Sequence, residues 1–507
     1  MRVEELEAQL GPPDFAEALQ LDEREEFPQP LVSRLIGLGY PAWMVPVEQG
    51  GALARFDEAL FLQRSVARRD LTAAIALGQS FLGAAPVWLA GSAAQKQRMA
   101  RLLLDGSAAA LALTEEEHGS DVLASEVRAA PAWTLSGRKW LINNASRARA
   151  LSVFARTDPS VGLHGFTLFL VERPCAGVEP GAKIRTHGIR GADIGGLAFD
   201  GAPGEPIGPV GSGAELALKS LQITRVGCAA FSLGALDTAL RLALDFAATR
   251  HLYGGTVLEI PHARSLLLGA FADLLACEAA AIGAARAVQA APEQLPLWSA
   301  AVKYFVPTTC ERAIRDLAVV LGARHYLRSG LFQKVMRDAS VVSLFDGSTA
   351  VALDSVGVQL ARLSAGGPAV EARAQVLREL FTLEAPLPPL DAGRFELLNN
   401  GRDDLLQGTR HPRVGAEFAR LCEEAAALPR ERRKRSPELF ELARRYCALH
   451  AAASCAQLAA HNPSLPPLEP CIARALGEPA DLEALAPRLL QLQRERRMFS
   501  LLSPQVV

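Results

Sequence analysis

The sequence predicts a mainly helical α+β chain in which a β region is set between two helical regions. Three observations lead there. Apolar residues recur at helical spacing up to about residue 110. Short β-type runs punctuated by Gly, Pro, Asp and Asn fill about 108–210. Long Ala- and Leu-rich stretches with few breakers follow Gly213. Of 507 residues, 50% are hydrophobic and 21% charged, so a large core can be buried and wholesale disorder is excluded.

In the first region, 56–67 (FDEALFLQRSVA) and 93–104 (AAQKQRMARLLL) are predicted helices, preceded by a Gly-terminated turn at 46–51 (PVEQGG). The β-type runs lie at 111–114, 126–129, 132–135, 152–155, 166–171 and 197–199, which suits an antiparallel barrel or sandwich. Helices are expected at 214–230, 232–249, 263–290 and 297–321, with the look of a close-packed bundle. Pro-rich breaks at 385–390 (APLPPL) and 462–470 (NPSLPPLEP) interrupt further helical stretches, read as a helical extension. The expected domains are 1–110, 111–212, 213–368 and 369–507.

Lys plus Arg number 53 against 55 Asp plus Glu, a net charge of −2, which argues against a whole-chain nucleic-acid binder. No apolar run reaches the ~18 unbroken residues of a membrane helix; one of the longest, 226–236, is ended by Asp237. The opening MRVEELEAQL is acidic and amphipathic, so no secretory signal is expected. Eight cysteines (175, 228, 277, 310, 422, 447, 455, 471) form no C-x-x-C pair and read as reduced, mostly buried thiols of a cytoplasmic protein, without a metal cluster.

No phosphate loop, G-x-G-x-x-G, H-E-x-x-H or Ser nucleophile elbow occurs. Three segments carry candidate chemistry instead. Residues 113–121 (LTEEEHGSD) offer hydroxyls and backbone N–H groups to a planar ring edge, or form a plain polar turn. In 139–144 (KWLINN) an indole either covers a planar cofactor or sits in a hairpin core. In 345–349 (FDGST), after MRD at 336–338, a carboxylate either faces a cavity or belongs to an ordinary Asp-Gly turn.

Taken together, these segments resemble the acyl-CoA dehydrogenase family over about residues 25–361. The resemblance is carried by VPVEQGG (45–51), TEEEHGSD (114–121), KWLINN (139–144), GIRGAD (188–193), ITRVG (223–227), TRHLYGG (249–255), DLAVVLGA (316–323) and FQKVMRDASVVSLFDGST (332–349). It implies an N-terminal helical domain, a central β domain and a four-helix bundle, with FAD between the last two and homodimers or homotetramers sharing cofactor contacts. It also implies oxidation of an acyl thioester, with a carboxylate taking the α-proton and the β-hydride passing to flavin N5. An electron-transferring flavoprotein or a similar acceptor would take the electrons.

Carried over by position, the resemblance makes Asp346 the base. Leu113 and Thr114 face the flavin, and Trp140 covers it. Ser120 lies near the thioester or the cofactor, and Arg225 lies beside the acyl pocket unless it serves a structural ion pair. Arg250 reaches the pyrophosphate of the partner's FAD, and Ser348 contacts the cofactor.

Several positions depart from the family pattern. Asp346 stands where Glu is usual, one methylene shorter, and Thr224 stands where another branch carries its base. Ile142 replaces a hydroxyl residue near flavin N5. Val319–Ala323 keeps only Gly322 of a Gln-x-x-Gly-Gly set, and His262 replaces Gln at a cofactor contact. Gln222 replaces Asp, and Leu353 and Asp354 fall where a basic residue often serves the CoA end, which favours an acyl-carrier-protein or specialised metabolic thioester. The extension has a parallel in long-chain branches, and its RERRKR run (430–435) is either an anionic-surface patch or a solvated helix face. Two other functions remain open: a flavin oxidase or monooxygenase resembling nitroalkane oxidases or N-hydroxylases, and a non-catalytic binding or assembly subunit.

Overall fold

The computed structural model describes residues 2–363 and 371–506. The expected start of the extension, about 369, lies outside the described residues. The chain gathers into two compact units: one of 16–54 and 72–224, the other of 1–15, 55–71 and 225–507.

The first unit holds one sheet of eight strands: β1 Ala108–Ala112, β2 Arg128–Ala130, β3 Thr134–Asn143, β4 Ala148–Arg156, β5 Phe166–Glu172, β6 Val178–Lys183, β7 Ile194–Pro203 and β8 Glu205–Ile207. Its order is β6-β7-β3-β2-β4-β5-β8, with β1 pairing in parallel to β4. Two expectations are corrected here. The sheet is mixed rather than antiparallel, because β1 and β2 both run parallel to β4. It is also not a closed barrel, since β6 and β8 end the path without pairing to each other.

Strands β4 and β5 are buried on both faces, which is why 166–171 reads as one apolar run rather than an alternation. Phe166 and Leu168 enter a layer shared with the helices Leu71–Ala90 and Ala93–Leu104. Phe169 and Val171 enter a second layer with Leu135, Leu151 and Phe199. The edge strand β6 is mostly exposed and contains Pro180 and Gly181. A strand end guarded in this way gives no alternating pattern to read.

The second unit is helical. Phe56–Arg69, Ala229–Thr249, Pro261–Ala290, Leu295–Leu321 and Thr349–Leu363 pack together, and Pro437–His461 of the extension lies against the last three. Close approach is bought with glycine: a Cβ at Gly283 would stand 2.8 Å from the Phe381 ring, and one at Gly357 2.9 Å from Leu439. The tail is pinned by buried charge. Arg64 donates to Glu278 (2.9 Å) and to the Phe499 carbonyl (2.7 Å), while Asp237 accepts from the Phe499 N–H (2.8 Å) and Glu278 from the Ser500 hydroxyl (2.6 Å).

Three stretches are long and apolar enough to cross a membrane: Leu71–Ala90, Gly213–Thr249 and Pro261–Ala290. In an apolar 18-residue window of each, 78%, 83% and 94% is buried inside the protein. Their hydropathy is that of helices buried in a protein core. The RERRKR run is one short 3-10 helical turn, Arg430–Arg432, followed by a bend. Arg432 pairs with Glu438, Arg433 donates to the carbonyls of Ala426 and Leu428, and Arg435 bonds Asp354 at 3.0 Å.

Candidate active site

In the unit that holds the sheet, β3 breaks register with β7 between Lys139 and Ile142, and Leu141 adopts φ 54°. Such a bulge re-aims the side chains beside it. The half-buried Trp140 lies there, tied twice to Thr114. The Trp140 N–H donates to the Thr114 carbonyl (3.0 Å), and the Thr114 hydroxyl donates to the Trp140 carbonyl (2.8 Å). Leu113 is buried beside them, its carbonyl accepting from Lys139 Nζ at 2.8 Å.

The same ammonium lies 2.8 Å from Glu115, whose carboxylate also accepts the N–H groups of Glu126 (2.7 Å) and Val127 (3.1 Å). Burial pushes Lys139 down to about 8 against the pull of Glu115. Burial raises Glu115 in turn, and the Lys139 charge, its hydrogen bond and the Glu126 and Val127 N–H groups together more than offset it, leaving the carboxyl below its ordinary range. Leu113, Thr114 and Trp140 are therefore held as one rigid piece. Ile142, 2% exposed, packs in the apolar layer with Ala110, Ala112 and Leu135. Ser120 is exposed on the loop after β1.

In the helical unit, Asp346 and Gly347 are consecutive left-handed residues, φ 54° and 98°. Asp is among the few side chains that tolerate this region. Gly347 is required twice over, because a Cβ there would sit 2.9 Å from Arg225 Nη2. Arg225 is buried, and its Nε donates to the Asp346 carbonyl at 3.0 Å. Burial lowers its pKa, against the opposing charge of Asp346. Lys303, also buried, donates to the Val342 carbonyl (2.7 Å) and lies 5.6 Å from the centre of the Phe345 ring. Ser348 caps the Thr349–Leu363 helix, its oxygen 3.5 Å from the Val351 N–H.

Arg250, His262 and Gly322, far apart in sequence, line one cleft of about 400 Å³ together with Val319, Ala323 and Arg324. Arg324 lies 5.3 Å from the centre of the Phe246 ring on the same wall. The tertiary structure thus sorts the sequence-derived residues of this unit into the turn (Arg225, Asp346, Ser348) and this cleft.

Sequence reasoning missed five groups. Glu115 and Lys139 lie inside the segments 114–121 and 139–144, each between half-buried or exposed neighbours, so no local pattern marked them as buried. Cys228 approaches Asp346 Oδ2 at 3.5 Å, and Lys303 braces the turn. Glu311 has a carboxyl raised by burial, with Ser343 as a hydrogen-bond partner. The last two, Lys303 and Glu311, lie over 30 residues before the turn and outside the motif at the end of their helix, so only packing reveals them.

Comparison with known proteins agrees with this architecture. Family patterns described as the acyl-CoA dehydrogenase N-terminal, middle and C-terminal domains match residues 10–107, 110–202 and 211–361. A probable acyl-CoA dehydrogenase of Mycobacterium leprae is 31% identical over 346 residues, 66% of this chain and 88% of that protein. Butyryl-CoA dehydrogenase from Megasphaera elsdenii superposes with a TM-score of 0.63 at 25% identity, covering 68% of this chain and 93% of its own. An acyl-CoA dehydrogenase from Bacillus anthracis, complexed with FAD, shares the fold with a TM-score of 0.74 at 20% identity, over 95% of this chain and 87% of its own. The chain belongs to the acyl-CoA dehydrogenase family of FAD-dependent oxidoreductases.

Proposed function

We propose that the protein dehydrogenates an acyl thioester, with Asp346 taking the α-proton. The observation that carries this reading is the Asp346–Gly347 turn, an isolated left-handed pair whose carbonyl is gripped by a buried guanidinium. A base must be held still to work, since a displacement of about 1 Å costs on the order of a hundredfold. With one methylene fewer than Glu, Asp has one fewer torsion to restrain, and the grip of Arg225 fixes the backbone from which it projects.

The residues present fit FAD. Trp140 offers a planar face on a rigid strand pair, and Arg250 offers a cation suited to phosphate oxygens in a cleft with apolar walls. FAD would supply the hydride acceptor. Thr114 and Leu113 belong to the rigid piece around Trp140, and Arg250, His262 and Gly322 to the cleft that would take the cofactor of a second subunit. Ser348, Ser120 and Ile142 remain proposed contacts.

Acyl-CoA is the family's substrate class, and carriage on an acyl carrier protein is the narrower proposal, supported by the acid at Asp354. A homodimer or homotetramer, an electron-transferring flavoprotein as acceptor, a cytoplasmic location and the four-part domain division complete the reading. Anaerobic titration with acyl-CoA and acyl-carrier thioesters tests it: flavin absorbance should bleach, and Asp346→Asn should abolish bleaching with FAD retained. Rapid oxygen consumption during turnover would point to an oxidase or monooxygenase instead.

A further inference from the structure

The turn that carries Asp346 is held by more than its backbone. Arg225 grips the Asp346 carbonyl, and Lys303 grips the Val342 carbonyl four residues earlier. Both act on the main chain. A third group acts on the carboxylate itself: Cys228 Sγ lies 3.5 Å from Asp346 Oδ2, a hydrogen-bond distance for sulfur.

We propose that Cys228 is a positioning residue for Asp346, its thiol donating to Oδ2 and setting the rotation of the carboxylate. The inference rests on the reading of Asp346 as the base and adds to it the group that aims that base.

Three features support it. Cys228 is 2% exposed and sits at the joint between the helices Gly213–Gly227 and Ala229–Thr249, with φ −57° and ψ −25°. Its backbone is helical and continues into helix on both sides, which fixes the direction of its Cβ. Burial, with the charge of Asp346 next, pushes the thiol well above its ordinary range, so sulfur keeps its proton and remains a donor. A thiol is also a weak donor. It restrains the torsion while stabilising the charged carboxylate less than a hydroxyl would, so the acid keeps more of its proton affinity. The other charged groups bearing on this pair are Arg225 and Lys303, with Glu311 acting on Lys303 from about two turns further along the same helix.

The test uses the FAD-loaded enzyme with Cys228→Ala, Cys228→Ser and Asp346→Asn. Cys228→Ala should slow anaerobic flavin reduction on the order of tenfold, leave substrate affinity nearly unchanged, and move the rate's acidic limb to higher pH. Cys228→Ser should restore most of the rate and move that limb to lower pH. A purely packing role would change the unfolding midpoint but not the pH profile. Infrared difference spectra, with or without FAD, give a second readout. A low-frequency S–H stretching component should vanish in Cys228→Ala and shift upward in Asp346→Asn.

Wild-type rate and pH profile in Cys228→Ala, beside an inactive Asp346→Asn, would overturn this proposal alone. Undiminished bleaching in Asp346→Asn would overturn the base reading and this proposal with it. Absence of the S–H component would overturn the hydrogen bond directly.

Discussion

Arg225 Nε donates to the main-chain oxygen of Asp346 at 3.0 Å, and Gly347 leaves the space its guanidinium fills. The arginine thus recognises a backbone shape, two left-handed residues in succession, more than a side chain. Its planar fork is suited to this, whereas a lysine would bring a point charge without the fork.

Arg225→Ala should reduce the rate of flavin reduction by about a hundredfold, the scale expected when a base is displaced by about 1 Å. Arg225→Lys should recover only a minor part. Stopped-flow flavin bleaching checks both, and retained FAD absorbance shows that the fold survives.

Arg250 is a side chain suited to phosphate in the cleft of about 400 Å³. A hydrogen bond to a charged group contributes about 1.5–3 kcal/mol, so Arg250→Ala should weaken FAD binding about tenfold or more. Val319→Gln, which returns a polar side chain to a wall position that is 61% exposed, should tighten it. Equilibrium titration of the FAD-depleted protein by flavin fluorescence measures both effects.

Asp403 lies fully buried in the extension, accepting from Trp298 Nε1 (3.0 Å) and the Tyr446 hydroxyl (2.8 Å). Burial raises its pKa to about 6, against those hydrogen bonds. The folded state therefore holds a proton that the unfolded chain has already lost near pH 4. This group's contribution is most favourable below pH 4 and declines as pH rises to about 6, by about 3 kcal/mol in all. Asp403→Asn should flatten that component, so the difference in unfolding midpoint between pH 5 and pH 7 should change from wild type in the direction of greater relative stability at pH 7.

Deleting residues 498–507 would strip Arg64, Asp237 and Glu278 of partners in a dry core. Breaking a buried pair costs about 3–5 kcal/mol. The truncated protein should unfold at a markedly lower temperature, as should Glu278→Gln, while Ser500→Ala should cost about 1 kcal/mol. Differential scanning calorimetry orders the three.

Much of the fold was legible because its signals are local. Residues 93–104 form a helix with the expected bounds, and 263–290 falls within Pro261–Ala290. The apolar run 166–171 became β5. The exposed edge β6 and the parallel pairing of β1 with β4 were not legible. An edge strand has no buried face to pattern, and strand direction depends on partners 40 residues away. The RERRKR run looked like free charge, yet Arg433 and Arg435 are spent on Leu428 and Asp354.

By itself the sequence determined the order of helical, β and helical regions and the family likeness, because periodicity and short motifs are properties of neighbouring residues. It also singled out Asp346 as the acid of the FDGST turn. The tertiary structure alone decided which distant groups meet that acid: Arg225 on its carbonyl, Cys228 on its carboxylate and Lys303 beneath the turn. Contacts between residues 39 to 121 positions apart leave no periodic trace in a chain. They exist only once burial has brought the helices together and made an unpartnered charge too costly to keep.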